Sequence, residues 1–118
     1  MNDNARQWVA ALRSGEYEQW RGALRNEDRY CCLGVACDVY AKATGEGEWD
    51  GHDFIVPDPS VPGLLPGAVR EWLGLAVGNK GWMQKGLSLT ARNDAGATFA
   101  EIADLIESEP DGLFVEGE

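Results

Sequence analysis

Apolar residues at the start of the chain recur at helical spacing, with Ala5, Trp8, Val9 and Leu12 on one face. Asn2 or Asp3 can cap this segment and Ser14-Gly15 can stop it, so a first helix is expected to run to about residue 14. In "WRGALRNEDRYCC" short arms containing apolar residues flank the polar turn "NED", the pattern of a hairpin that feeds directly into a helix from about Cys32 to Thr44. Leu33, Ala36, Val39, Tyr40 and Ala43 keep helical spacing there, and Gly45 ends it. Gly, Asp and Pro then dominate as far as Pro66, with Trp49, Phe54, Ile55 and Val56 placed to pin that stretch as an edge strand. Pro66 suits the first position of a third helix, which has Val69, Trp72 and Leu73 on its face and Gly74 as its C-terminal cap. In "TFAEIADLIES" Thr98 at the N-cap and Glu101 at the third position form a capping box ahead of the stripe Phe99, Ile102, Ala103 and Ile106, and Pro110 follows.

These elements predict an α+β fold: about four short helices packed with a small antiparallel hairpin or sheet. A chain of 118 residues with 44% apolar side chains can bury one modest core, so a single domain over residues 1–118 is expected. Within it the expectation is an irregular Gly/Asp/Pro-rich loop at about 45–65 and an acidic C-terminal tail. The longest apolar run is far short of the roughly 20 residues that a membrane span requires. The opening "MNDNARQW" lacks the basic and apolar regions of a signal peptide, which points to a soluble intracellular protein with no membrane partner.

Charge changes the picture more than composition does. A net charge of −10 would repel nucleic acid, whose binders gain most of their affinity by neutralising phosphates. From Glu101 onward the chain carries Asp104, Glu107, Glu109, Asp111, Glu116 and Glu118 with no basic residue, whereas Arg6, Arg13, Arg21, Arg25 and Arg29 lie near the start. Such asymmetry permits head-to-tail homo-oligomers or docking on a basic partner, and it also describes a solvated acidic face.

The stretch "RYCCLGVACDVY" holds Cys31, Cys32 and Cys37. Structural zinc wants four Cys or His ligands, usually in paired C-x₂₋₄-C units, and His52 is the single histidine. No metal and no cofactor is expected. A Cys31–Cys32 disulfide would be a strained ring, so packing as small hydrophobes is the expected role. The enzymatic alternative places Cys32 at a helix N-terminus with His52 as its base, but the apolar neighbours Leu33, Val35 and Ala36 would raise the thiol pKa. No G-x-S-x-G occurs, "GLAVGNK" and "GWMQKG" miss the P-loop spacing, and Glu101, Asp104 and Glu107 read as one solvated helix face. The "EIA" segment imitates the first helix of a helix-turn-helix, but "EPDGLFVEGE" supplies no recognition helix. Imitation of DNA by an acidic surface stays open.

The succession "WVAALRSGEYEQ", "GALR", "RYCCLGVACDVY", "LPGAVREWLGL" and "NDAGATFAEIADLIE" resembles a family of small uncharacterised proteins encoded by tailed bacteriophages and prophages. The similarity covers most of the chain apart from residues 45–60 and the last few. Family members commonly place leucine where this chain has Arg92. The resemblance implies an accessory protein of an infected bacterial cytoplasm that binds and blocks host machinery or defence signals.

Two binding readings follow. In the first, the protein sequesters a small nucleotide-like signalling molecule: Trp49 offers a stacking face, Arg25 and Arg29 offer charge, and Arg92, Asn93, Asp94 and Thr98 with the amides of "DAGATF" hold a phosphate at a helix start. In the second, the acidic surface docks on a basic host protein and occludes it. The first is preferred because it offers a concrete site, with a cysteine-dependent hydrolase as a third reading.

Overall fold

The chain's first helix is set by a local cap. In the computed structural model, which describes residues 2–20, 24–51, 53–56, 67–75, 89–108 and 113–114, Asn2 lies in extended backbone and its Oδ1 accepts from the Ala5 N–H at 2.8 Å. Helix α1 (Asp3–Arg13) follows and buries Ala5, Trp8, Val9 and Leu12, the expected stripe. The side-chain amides of Asn2 and Asn4 also donate to the Trp72 carbonyl, at 3.2 and 2.9 Å, near the end of α3 (Gly67–Leu73). The start of one helix thereby satisfies an orphan carbonyl at the end of another.

Strands β2 (Arg25–Asn26) and β3 (Arg29–Tyr30) form the expected hairpin, with Arg25 opposite Tyr30 and Asn26 opposite Arg29. Glu27 takes the left-handed turn position at φ 55°. Strand β1 (Glu18–Gln19) adds to the other edge of β3 in parallel, pairing Glu18 with Arg29 and Gln19 with Tyr30, so the sheet is mixed.

Helix α2 (Cys32–Thr44) has the expected bounds, and Gly45 closes it in the left-handed conformation at φ 75°. Its first half buries Cys32, Leu33, Gly34, Val35, Ala36 and Cys37 consecutively, the mark of a helix surrounded by protein. Ala43, expected on the apolar face, is exposed because that end of the helix leaves the core. The chain at Leu24 crosses the helix start so closely that a Cβ on Gly34 would stand 1.8 Å from the Leu24 carbonyl oxygen, and no side chain is tolerated there. That same oxygen accepts from the Cys31 N–H at 3.1 Å.

The stretch expected to be irregular from 45 to 65 contains a second hairpin, β4 (Glu48–Asp50) and β5 (Asp53–Ile55), with Trp49 opposite Phe54. The apolar residues expected to pin an edge strand alternate about it, Phe54 and Val56 buried and Ile55 42% exposed. Residues 57–66, and with them Pro66, lie outside the described residues. Val69 and Leu73 of α3 are fully buried, and Gly74 follows with positive φ.

A fifth helix, α4 (Leu89–Asp94), lies where the sequence pattern predicts no regular element. Helix α5 (Phe99–Glu107) begins with the expected capping box: Thr98 Oγ1 accepts from the Glu101 N–H and a Glu101 carboxylate oxygen accepts from the Thr98 N–H, both at 3.1 Å. It packs along α1, and Arg13 donates to both Asp104 and Glu107 across that contact. The resulting α+β domain has a radius of gyration of 12.8 Å. None of its described helices is long and apolar enough to cross a membrane.

Within the acidic C-terminal stretch two apolar residues return to the fold. Leu113 is 1% exposed within the core, and Phe114 pairs with Leu75 in an antiparallel bridge. Burial of these apolar side chains outweighs the solvation of their acidic neighbours. Removing residues 111–118 should therefore lower the melting temperature markedly, with Leu113→Ala alone costing about 2–5 kcal/mol; calorimetry giving an unchanged transition for both proteins would refute this anchoring.

Candidate functional site

The segment expected to cradle a phosphate is arranged for a different purpose. Arg92, Asn93 and Asp94 form the last turn of α4, where the helix dipole presents its negative end, so an anion is disfavoured there. Three of the loop amides are spent: Gly96 N–H donates to the Asn93 carbonyl at 3.2 Å, Ala97 N–H to the Arg92 carbonyl at 3.0 Å, and the Thr98 N–H to Glu101. Thr98 is the cap of α5, Asp94 is exposed, and Arg92 is half-buried.

Asn93 is wholly buried and acts inside the fold. Its Oδ1 accepts from the Gln19 side-chain amide at 2.9 Å and from the Cys32 N–H at 3.3 Å, and its Nδ2 donates to the Trp20 carbonyl at 2.6 Å. Gln19 also donates to the Ala97 carbonyl at 2.6 Å. A ligand has no access to this amide.

Arg25, Arg29 and Trp49 divide between two faces. The hairpin register puts Arg25 with Tyr30 on one face and Arg29 with Asn26 on the other. The Arg29 guanidinium lies 5.5 Å from the Trp20 ring centroid, with Nε 3.3 Å from a Glu18 carboxylate oxygen. Arg25 lies over two rings, 5.3 Å from the Trp49 centroid and 5.7 Å from that of Tyr30, and its Nε donates to the Glu27 carbonyl at 2.6 Å.

The Arg25 face opens onto a polar cluster that the sequence reading did not single out. Asp38, with a side chain 14% exposed, receives the Tyr17 hydroxyl at 2.5 Å and the Trp49 indole N–H at 3.4 Å, and its carboxylate lies 3.0 Å from Lys42 Nζ. Tyr17 packs edge-on against Tyr30 with centroids 5.1 Å apart, Tyr30 against Trp49 at 5.7 Å, and Trp49 against Phe54 at 5.1 Å. Burial, followed by the hydrogen bond to Asp38, pushes the Tyr17 hydroxyl up to about 12. Asp38, followed by the Tyr17 hydroxyl, raises Lys42 above its ordinary range. Burial also raises Tyr30, and the negative charges of Asp38 and Asp28 add to it. Asp38 and Lys42, four apart on one helix, carried a legible pairing signal; Tyr17 and Tyr30 carried none, because parallel pairing of β1 with β3 brings them together.

The family model described as a domain of unknown function, DUF8296, matches residues 1–110. The chain belongs to this family. No curated protein and no solved structure matches it. In this DUF8296 member the cysteines of the central motif line the core: Cys31 is 4% exposed and Cys32 and Cys37 are fully buried. Burial raises all three thiols, opposite to what a nucleophile needs. Cys31 is also the N-cap of α2, its Sγ accepting from the Gly34 N–H at 3.4 Å. His52, the base of the hydrolase reading, lies outside the described residues, among which no cluster of His, Cys, Asp and Glu could hold a metal ion.

Two measurements check these assignments. Replacing Asn93 with Ala leaves the Trp20 carbonyl and the Cys32 N–H without their buried partner, and should cost about 3 kcal/mol or more in denaturant unfolding; a loss below about 1 kcal/mol would remove it as a structural tie. Tyr17 holds its proton more tightly folded than unfolded, so its contribution is complete below the ordinary tyrosine range near pH 10 and is lost as pH rises through about 12. Lys42 acts in the same direction. Tyr17→Phe should flatten the alkaline fall in stability and remove the latest phase of the tyrosine absorbance titration; an unchanged titration would contradict the Asp38 contact.

Proposed function

We propose that this chain is a non-catalytic accessory binding protein, phage-encoded as its sequence resemblance suggests, which docks on a basic surface of a host protein in the bacterial cytoplasm and occludes it. The observation that carries this reading is the disposition of its cations. Arg6 pairs with Asp3, Arg13 with Asp104 and Glu107, Arg29 with Glu18, Lys42 with Asp38, and Arg70 with Glu71. With these positive charges neutralised within the chain, the excess acid faces outward: among the acidic side chains with described burial, all but Asp38 are exposed. A surface of this kind is complementary to a basic partner and repels phosphates. The pairing of Arg13 with α5 also uses within one molecule charges that head-to-tail association would need.

The nucleotide-like ligand is retained as a second reading by one contact, the Arg25 guanidinium over Trp49 and Tyr30, since a base can stack on the same faces. Calorimetric titration separates the two. A short peptide rich in arginine and lysine should bind, an acidic peptide of equal length should not, and affinity for the basic peptide should fall at least about tenfold between roughly 20 and 300 mM salt. No binding of the basic peptide at low salt, together with salt-tolerant binding of a cyclic or linear nucleotide, would transfer support to the second reading.

A further inference from the structure

Where the acidic surface would take hold of a basic partner is indicated by a cation already in place. Tyr30 and Trp49, both half-buried, stand 5.7 Å apart at 68°, and Tyr17 meets Tyr30 at 89°, so the rings make an open-sided corner. The chain's own cations lie on these rings: Arg25 on Trp49 and Tyr30, and Lys42 Nζ 5.3 Å from the Tyr17 centroid. Ring faces attract cations through their quadrupole, and partial removal from water strengthens the attraction. Asp38, bonded to Tyr17 and Trp49, and Asp28, acting on Tyr30, place carboxylates beside the corner, where Arg25 and Lys42 are the cations that offset them.

The rings are also held by contacts that do not involve the Arg25 side chain. Trp49 bonds Asp38 through its indole and packs on Phe54, while Tyr30 lies in β3, paired on both edges, and packs on Tyr17. Arg25 stands on a strand of two residues, and its Nε bond goes to Glu27 in the adjoining turn. Movement of its guanidinium would leave the platform standing.

We propose that the Tyr30–Trp49 corner over Asp38 is a receptor for a guanidinium side chain of the basic partner, and that Arg25 is its resident stand-in, displaced on docking. This site rests on the docking reading above, and it exchanges one guanidinium for another on the same rings. Arg25 lowers the apparent affinity for an incoming cation by the fraction of molecules in which it occupies the corner.

The test uses the full chain labelled with ¹⁵N and a blocked arginine, N-acetylarginine amide, as probe, following the Trp49 indole N–H signal assigned through Trp49→Phe. Arg25→Ala should bind the probe about tenfold more tightly than wild type, with a saturable shift of that signal. The effect should vanish in Arg25→Ala/Tyr30→Leu, which keeps the Trp49 reporter, and be absent with N-acetylglycine amide. Arg25→Gln, which keeps a donor for the Glu27 carbonyl, replaces Arg25→Ala if the latter fails to fold. No saturable shift in the opened variant, or equal affinity in wild type, overturns the proposal. If the basic peptide binds wild type without moving the Trp49 signal, docking stands and this site falls; if blocked arginine binds the opened variant while the peptide binds neither protein, the site stands and the docking reading falls.

Discussion

Two segments distant in sequence converge on the side-chain amide of Asn93, and the geometry around it organises the rest of the molecule. From the end of α4 it reaches the Trp20 carbonyl beyond β1, the Gln19 side chain and the first N–H of α2. The opening N–H groups of any helix lack internal partners, and in a buried location water cannot supply them. Asn93 and the Cys31 thiol serve that end of α2, while the Cys32 carbonyl accepts from the Trp8 indole of α1 at 2.9 Å. The central helix is therefore held at its first turn from both sides by polar contacts that a slipped register would break.

The motif at the head of α2 follows from this placement. A helix start enclosed by α1, α3, α4 and the sheet has room for small apolar side chains and for no side chain at Gly34. Cysteine meets that requirement as a small hydrophobe, and at Cys31 its sulfur adds a weak acceptor where serine or aspartate is more usual. A cluster of reactive residues in sequence is a packing cluster in space, because the burial that admits the thiols also keeps them protonated.

Acid and base are distributed by the same economy. Arg6, Arg13 and Arg29 meet carboxylates of their own chain, the last two joining α1 to α5 and β3 to β1. Asp38 is the exception among the acidic side chains with described burial: it is largely removed from water and shared by a tyrosine, a tryptophan and a lysine. It fixes the aromatic rings around it while leaving their outer faces to cations. The result joins an anionic exterior to an aromatic corner that already accommodates a guanidinium, a combination suited to basic side chains rather than to phosphates.

The sequence by itself determined four helices and the first hairpin, since their limits are local: the Asn2 cap, Gly45 and Gly74 in left-handed conformations, the Thr98–Glu101 box and the "NED" turn all act within a few residues. Tertiary structure alone decided the rest. A helix as short as α4 (Leu89–Asp94) is too short to persist in isolation and exists because Asn93 is tied into the core, so its residues carry no local helix signal. The parallel pairing of β1, the return of Leu113 to the core, and the separation of Arg25 from Arg29 onto opposite faces depend on register and long-range packing. Residue type showed which side chains could bind an anion. Burial, helix polarity and strand register, all products of contacts between remote segments, determined that Asn93 holds the fold together and that Arg25 rests on aromatic rings.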